Sequence, residues 1–214
     1  MTAWTWLSLA LALFLVPGLA IGNRWAGRPG GDAGGLAVEL AMFVLAGVML
    51  WIVRTKEGKS WESLGLGRAD VGKTALLTLA VMVAAVASLA ALIGALSLFD
   101  IPSLQGDSHD RPLWLLAVMC FRAGTLEELT YRGVAIDRVA LLTGSKTLGW
   151  LVPAVLFGVL HYPQGISGIL IAFVAALVMT AFFFKTRNLW ANMAAHFLID
   201  FIPNVLLPVF GVVD

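Results

Sequence analysis

Charge is what this chain has least of. Asp, Glu, Lys and Arg together supply only 13% of its 214 residues, against 60% hydrophobic, and the mean hydropathy is +0.91. A soluble domain carries about 25% charged residues, so a water-facing globular surface cannot be assembled from this composition. The chain reads as a polytopic membrane protein, with lipid as its first partner and neither nucleic acid nor nucleotide expected. Cysteine is nearly absent as well. Cys120 stands alone in an apolar run, which excludes an internal disulfide and reads as a small buried hydrophobe. No basic stretch precedes the first apolar run, so residues 3–21 are expected to be a retained span and not a cleaved signal peptide. Internal repeats and soluble insertions are also missing, and residues 1–214 are expected to form a single membrane-embedded domain.

What is present is apolar sequence in seven blocks, at roughly 3–21, 35–53, 71–98, 113–142, 148–162, 166–184 and 189–210. Most match the ~20 residues of a transmembrane helix, and the fifth falls short. The fold class is therefore all-α, a helical bundle of about seven spans with a short or broken fifth helix. Lys and Arg set its orientation. Arg54, Lys56, Lys59, Arg68, Lys73, Arg138, Lys146, Lys185 and Arg187 crowd alternate connections, while Arg24, Arg28 and Arg111 are alone on the others. Nine against three places the N-terminus in the cytoplasm and the C-terminus outside the cell membrane.

The charges that do occur inside apolar blocks carry the functional reading. Residues 125–133, T-L-E-E-L-T-Y-R-G, put Glu127, Glu128 and Arg132 in the fourth block. Ionisable groups at such depth cost several kcal/mol each and persist when paired or lining a wet cavity. Glu128 and Arg132 are i,i+4 with the acid first, the favourable order for an ion pair. Glu127 points about 100° away, beyond easy reach of Arg132. One carboxylate is thus expected to be held and the other left for chemistry.

The fifth block ends in H-Y-P-Q-G, where Pro163 disfavours a helical Tyr162 and the helix should stop near His161 after roughly 22 Å of rise. Irregular backbone at that depth has to be buried in protein or line a cavity, which sets His161 at the cavity floor. Glu127 and His161 both lie about 20 Å from the cytoplasmic ends of their helices and are expected to meet. The seventh block carries Asn188, Asn192, His196, Asp200 and Asn204 at every fourth position, one stripe that must face the bundle interior. His196 and Asp200 are close enough on it to hydrogen-bond. Side chains that merely glue membrane helices are mostly Ser, Thr, Asn or Gln; six ionisable residues on three segments point to chemistry.

These residues also carry a resemblance. E-E-L-T-Y-R (residues 127–132), F-G-V-L-H (157–161) and H-F-L-I-D (196–200) resemble, in order, the EExxxR, FxxxH and HxxxN/D motifs of the CPBP family, which unites CAAX proteases and bacteriocin-processing enzymes and includes the Ras-converting CAAX endopeptidases. W-E-S-L-G-L (61–66) is also similar, so the likeness spans about 61–208. It implies an intramembrane endopeptidase acting on a peptide or a lipidated membrane protein. In that reading Glu127 and His161 activate water, while His196 and residue 200 stabilise the oxyanion. Asp stands at 200 where Asn is common. An ionised Asp only accepts hydrogen bonds, so Asp200 is expected to orient and charge His196, leaving the imidazole as donor. Glu127, His161 and His196 would also make a zinc set. No HExxH pair is present, however, and the water-activating glutamate is the favoured mechanism, with no cofactor.

Competing patterns are weaker. G-R-A-D-V-G-K-T (67–74) fits the P-loop formula, but no strand precedes it and Thr74 runs straight into a membrane span. G-I-S-G (165–168) resembles the nucleophile motif of rhomboid proteases, with His196 as base; it leaves Glu127, Glu128 and Arg132 without a role, and Ser167 is expected instead to cap the sixth helix. A proton-coupled transporter would use the same Glu and His residues, yet usually shows paired repeats. A catalytically silent scaffold would bind a partner through the same cavity. Arg122 has no evident partner, and His109 reads as a loop residue.

The charge asymmetry makes a topology prediction. A reporter inserted in residues 54–73 reads cytoplasmic and one at Asp107 reads external; the reverse pattern overturns the orientation.

Overall fold

The structure is a computed structural model that describes residues 2–27, 29–99, 101 and 111–211. It is an all-α bundle, with no strand among those residues. Helix α1 covers Ala3–Asn23, α2 Gly31–Lys56, α3 Val71–Leu98, α4 residues 113–143, α5 Lys146–Leu160, α6 Gly165–Thr186 and α7 Leu189–Val209. His109 and the acids Asp100, Asp107 and Asp110 lie outside the described residues. Five helices are long and apolar enough to cross a membrane, namely α1, α2, α3, α6 with the turn before it, and α7. The other two of the seven expected blocks depart for visible reasons: α4 carries the buried charges, and α5 is only 15 residues long. With these apolar spans the chain is an integral membrane protein.

Sequence signals fix most helix ends. Asp70 accepts the Lys73 amide at 2.7 Å, and Asn188 accepts that of Ala191 at 3.1 Å, each an N-cap of the expected kind. The Asp70 cap starts a helix where the P-loop formula would need a phosphate cradle. Helix α5 ends at Leu160 with His161 as its cap, and Pro163 sits in a 3-10 turn, Tyr162–Gln164, before α6. The break at His161 is thus where Pro163 and Gly165 put it. Ser167, by contrast, is not a cap: α6 starts at Gly165, and Ser167 is already inside it and buried.

Partners at the chain's turns show that alternate helix ends share one face. Arg138 on α4 donates to Glu57, just after α2, at 2.7 Å and to Ser8 on α1 at 3.0 Å. Arg187, after α6, reaches Asp137 at 2.8 Å and the Ser63 carbonyl at 2.7 Å. Asn188 reaches Thr74 on α3 at 2.9 Å. Arg138 is therefore not a solvated flank of α4 but a buried cation with its own acid. The 61–66 stretch forms a tight plug on this face. Leu64 is buried, Gly65 adopts φ 77°, and the Gly65 carbonyl accepts the first amide of α7, Leu189, at 2.9 Å. A Cβ at Gly65 would lie 2.5 Å from the Phe183 ring, so both its backbone and its neighbours require glycine.

The approach that matters most for the site is α4 on α7. A Cβ on Gly124 would lie 2.6–2.7 Å from backbone and Cβ atoms of Phe197, which leaves room only for hydrogen. Small residues allow this kind of backbone contact in membranes. Gly124→Ala is expected to cost about 1–3 kcal/mol, the usual penalty of overpacking, read as a lower melting temperature in detergent. Gly94→Ala, where a Cβ meets nothing within 4 Å, is the matched control and should leave melting unchanged or slightly raised.

Candidate active site

The charged part of α4 is not ordinary α-helix. Residues Ala123–Glu127 and Leu129–Ala135 form π turns, in which residues five apart stack on one another. Arg122 stands five before Glu127, and its Nη1 makes an ion pair with the Glu127 carboxylate. The Nε of the same guanidinium donates to Glu39 Oε2 on α2 at 2.9 Å. Here the sequence expectation needs correcting: Glu127 is out of reach of Arg132, as expected, but it is not left unpaired. Ideal α geometry hides the partner, because the widened turn is what swings Arg122 onto its face. Arg122, without a partner in sequence, has two.

Glu128 and Arg132 pair as their spacing predicts, at 2.9 Å, with side-chain exposures of 0% and 1%. Glu128 does more than hold Arg132. Its Oε1 also lies 2.9 Å from His196 Nδ1, and its Oε2 accepts from Asn192 Nδ2 at 3.3 Å. Asn192 donates to the Met179 carbonyl on α6 as well, at 2.8 Å. The Arg132 guanidinium lies 5.0 Å from the centre of the Phe157 ring, a cation–π contact that offsets part of its burial.

Phe157 is the hub of the aromatic contacts. Its ring centre is 4.6 Å from that of His161, 6.3 Å from that of His196 and 5.0 Å from that of Tyr131. One turn on, His161 Nδ1 is 2.7 Å from the Phe157 carbonyl. That carbonyl can only accept, so Nδ1 carries the hydrogen and Nε2 is left as an acceptor. The stripe on α7 faces inward as the four-residue period requires. His196 Nε2 lies 3.5 Å from Asp200 and 4.0 Å from Glu127 Oε2, and Asn204 donates to the Asp200 carbonyl at 2.7 Å.

A cavity of about 910 Å³ opens among all seven helices, and Glu39, Arg122, Glu127, His161, His196 and Asp200 all line it. Four of the six residues singled out in sequence therefore share one cavity. Glu128 and Arg132 stand behind its wall and orient His196. Glu39 is the residue that sequence reasoning missed. A lone acid in the second apolar block was the available signal, since an intramembrane carboxylate implies a partner. Among the described residues no group of three or more His, Cys, Asp or Glu side chains is placed to hold a metal ion.

Comparison with known proteins agrees with the motif resemblance. Residues 109–202 match the profile of the Type II CAAX prenyl endopeptidase Rce1-like family. The chain is also similar to the UPF0177 protein YvdC of Lactococcus lactis subsp. lactis (strain IL1403), at 34% identity over 87 residues. That match covers 41% of this chain and only 33% of the relative's length. No solved structure matches significantly. The likeness expected from the three motifs is borne out over the segment that contains all of them.

The two glutamates should separate in stability. Glu128→Gln leaves Arg132 buried and unpaired, so it is expected to cost about 3–5 kcal/mol. Glu127→Gln leaves Arg122 with Glu39 and should cost about 1–2 kcal/mol, the loss of one charged hydrogen bond. Thermal melts in detergent compare them, and a Glu127→Gln protein less stable than Glu128→Gln contradicts the assignment.

Proposed function

We propose that this protein is an intramembrane endopeptidase that hydrolyses a peptide or a lipidated membrane protein with a water activated between Glu127 and His161. The observation that carries the reading is one cavity lined by Glu127, His161, His196 and Asp200, within a segment that matches a CAAX prenyl endopeptidase family. Glu127 Oε2 and the free Nε2 of His161 each accept a hydrogen of the water. Its oxygen attacks the scissile carbonyl carbon as Glu127 takes the proton, and the carbonyl π pair moves onto oxygen. His196 donates to that oxyanion from Nε2. Glu128 accepts at Nδ1, while Asp200, 3.5 Å from Nε2 and beyond normal hydrogen-bond length, favours the doubly protonated ring and leaves the Nε2 hydrogen for the oxyanion. When the tetrahedral species collapses, the C–N bond breaks and the leaving amine takes the proton from Glu127. Glu128, held by Arg132 and Asn192, fixes the imidazole without touching substrate. Asp200 orients and charges the ring from the other side, as an acceptor must. No metal enters these steps, and the N-terminus is cytoplasmic in this reading.

The test is cleavage of a membrane-peptide library by the purified protein, read by mass spectrometry. His161→Ala is expected to lower turnover ~10²–10⁴-fold, as losing an acid–base partner does. Ser167→Ala, inside α6 and buried, should leave turnover near normal, and serine-directed fluorophosphonates should not label it. A dead Ser167→Ala enzyme overturns the mechanism in favour of a serine nucleophile. Zinc bound one-to-one, whose removal and return track turnover, overturns the metal-free form.

A further inference from the structure

Two side chains in the cavity remain without work: Arg122 on α4 and Glu39 on α2. Neither belongs to the motif trio, and both are buried charges in apolar helices, Arg122 12% and Glu39 8% exposed at the side chain. Intramembrane charges are costly enough that each needs an account. A purely structural account is that Arg122 exists to neutralise Glu39. The geometry says more. Arg122 faces two carboxylates with different atoms, Nε to Glu39 Oε2 at 2.9 Å and Nη1 to Glu127 Oε1. The guanidinium is a rigid planar fork, so fixing one nitrogen fixes the direction of the others. It occupies Oε1 of Glu127 and leaves Oε2, the oxygen that lies 4.0 Å from His196 Nε2. The Glu127 side chain would otherwise have several rotamers within a roomy cavity.

We infer that Arg122, anchored by Glu39, is a positioning residue that aims the free oxygen of Glu127 at the reacting water. The inference rests on the proposed endopeptidase reading and deepens it, because it brings α2 into the site through a single ion-pair chain, α2 to α4 to water. It also fits the π turn at Ala123–Glu127, whose five-residue stacking sets guanidinium and carboxylate on one face. Misplacing a catalytic group by about 1 Å can cost 10²-fold in rate with substrate binding unaltered.

Arg122→Ala alone strands Glu39 as a buried anion and invites misfolding. The informative protein is the double variant Arg122→Ala/Glu39→Gln, which removes Arg122 together with its anchor so that Glu39 is not stranded, while Glu127 loses Arg122 but keeps the cavity and His196 Nε2 at 4.0 Å. Its melting temperature in detergent should stay within a few degrees of wild type. Its kcat on a peptide that the wild type cleaves is expected to fall about 10–100-fold, with KM changed less than about threefold, the pattern of a group that acts only in the transition state. Methylguanidinium, which fits the space vacated by the Arg122 head group, should restore kcat several-fold in this variant and leave the wild type unaffected. A folded double variant with wild-type kcat overturns the proposal, as does a loss that appears mainly in KM or that methylguanidinium does not relieve. Wild-type protein that cleaves nothing overturns the endopeptidase reading and the positioning role with it, so the two failures are told apart by the wild-type lane.

Discussion

The Glu128–Arg132 ion pair is the constraint to which the rest of the bundle answers. Two charges with essentially no exposure each carry a desolvation cost of several kcal/mol, which only close geometry and further hydrogen bonds repay. Those further partners come from elsewhere in the fold: Asn192 and His196 from α7, and the Phe157 ring from α5. Satisfying one carboxylate therefore fixes the distance between α4 and α7. Gly124 is what permits that distance, because any side chain there would meet the Phe197 backbone. His196 is oriented as a by-product of charge burial, and the proposed active site is built on a structural necessity.

Much of this was legible in the chain. The break after Leu160 followed from Pro163 and Gly165, the inward stripe on α7 from its four-residue period, and the Glu128–Arg132 pair from i,i+4 spacing. These are local signals, and local geometry carried them into the fold. What was not legible depends on contacts between distant segments or on departures from ideal helix. The Arg122–Glu39 bond joins residues 83 positions apart, and the Arg122–Glu127 bond needs a π turn that no residue in A-G-T-L-E announces. Ser167 misled because a cap depends on where the preceding turn ends. The 3-10 turn ends at Gln164, which takes the cap position three residues before 167, and Gly165 is already helical.

The opposite end of the bundle uses the same device for a different purpose. Ser8, Glu57 and Arg138 close a small buried network that ties α1, α2 and α4 together, with Ser8 bonding both Glu57 at 2.5 Å and Arg138. The exposed Asp137–Arg187 pair nearby is of the kind that contributes little. In the charge count that sets topology Arg138 is one cation among nine, yet in the fold it is a tie between helices. Counting charges gives orientation, while partners decide what each charge does.

Helix α4 is pinned at two points along its length, Arg122 to α2 and Arg138 to Glu57 and α1. Between them lie both π turns, each closing its hydrogen bond one residue later than an α turn. The angular phase between the two pins is thus set by residue number as well as by residue type. Removing one residue between them would rotate everything beyond by about 100°, and neither pinned end is free to turn and absorb it. This rod has a fixed count, as a keyed shaft does: its lipid-facing side chains are exchangeable, but its length between the keys is not.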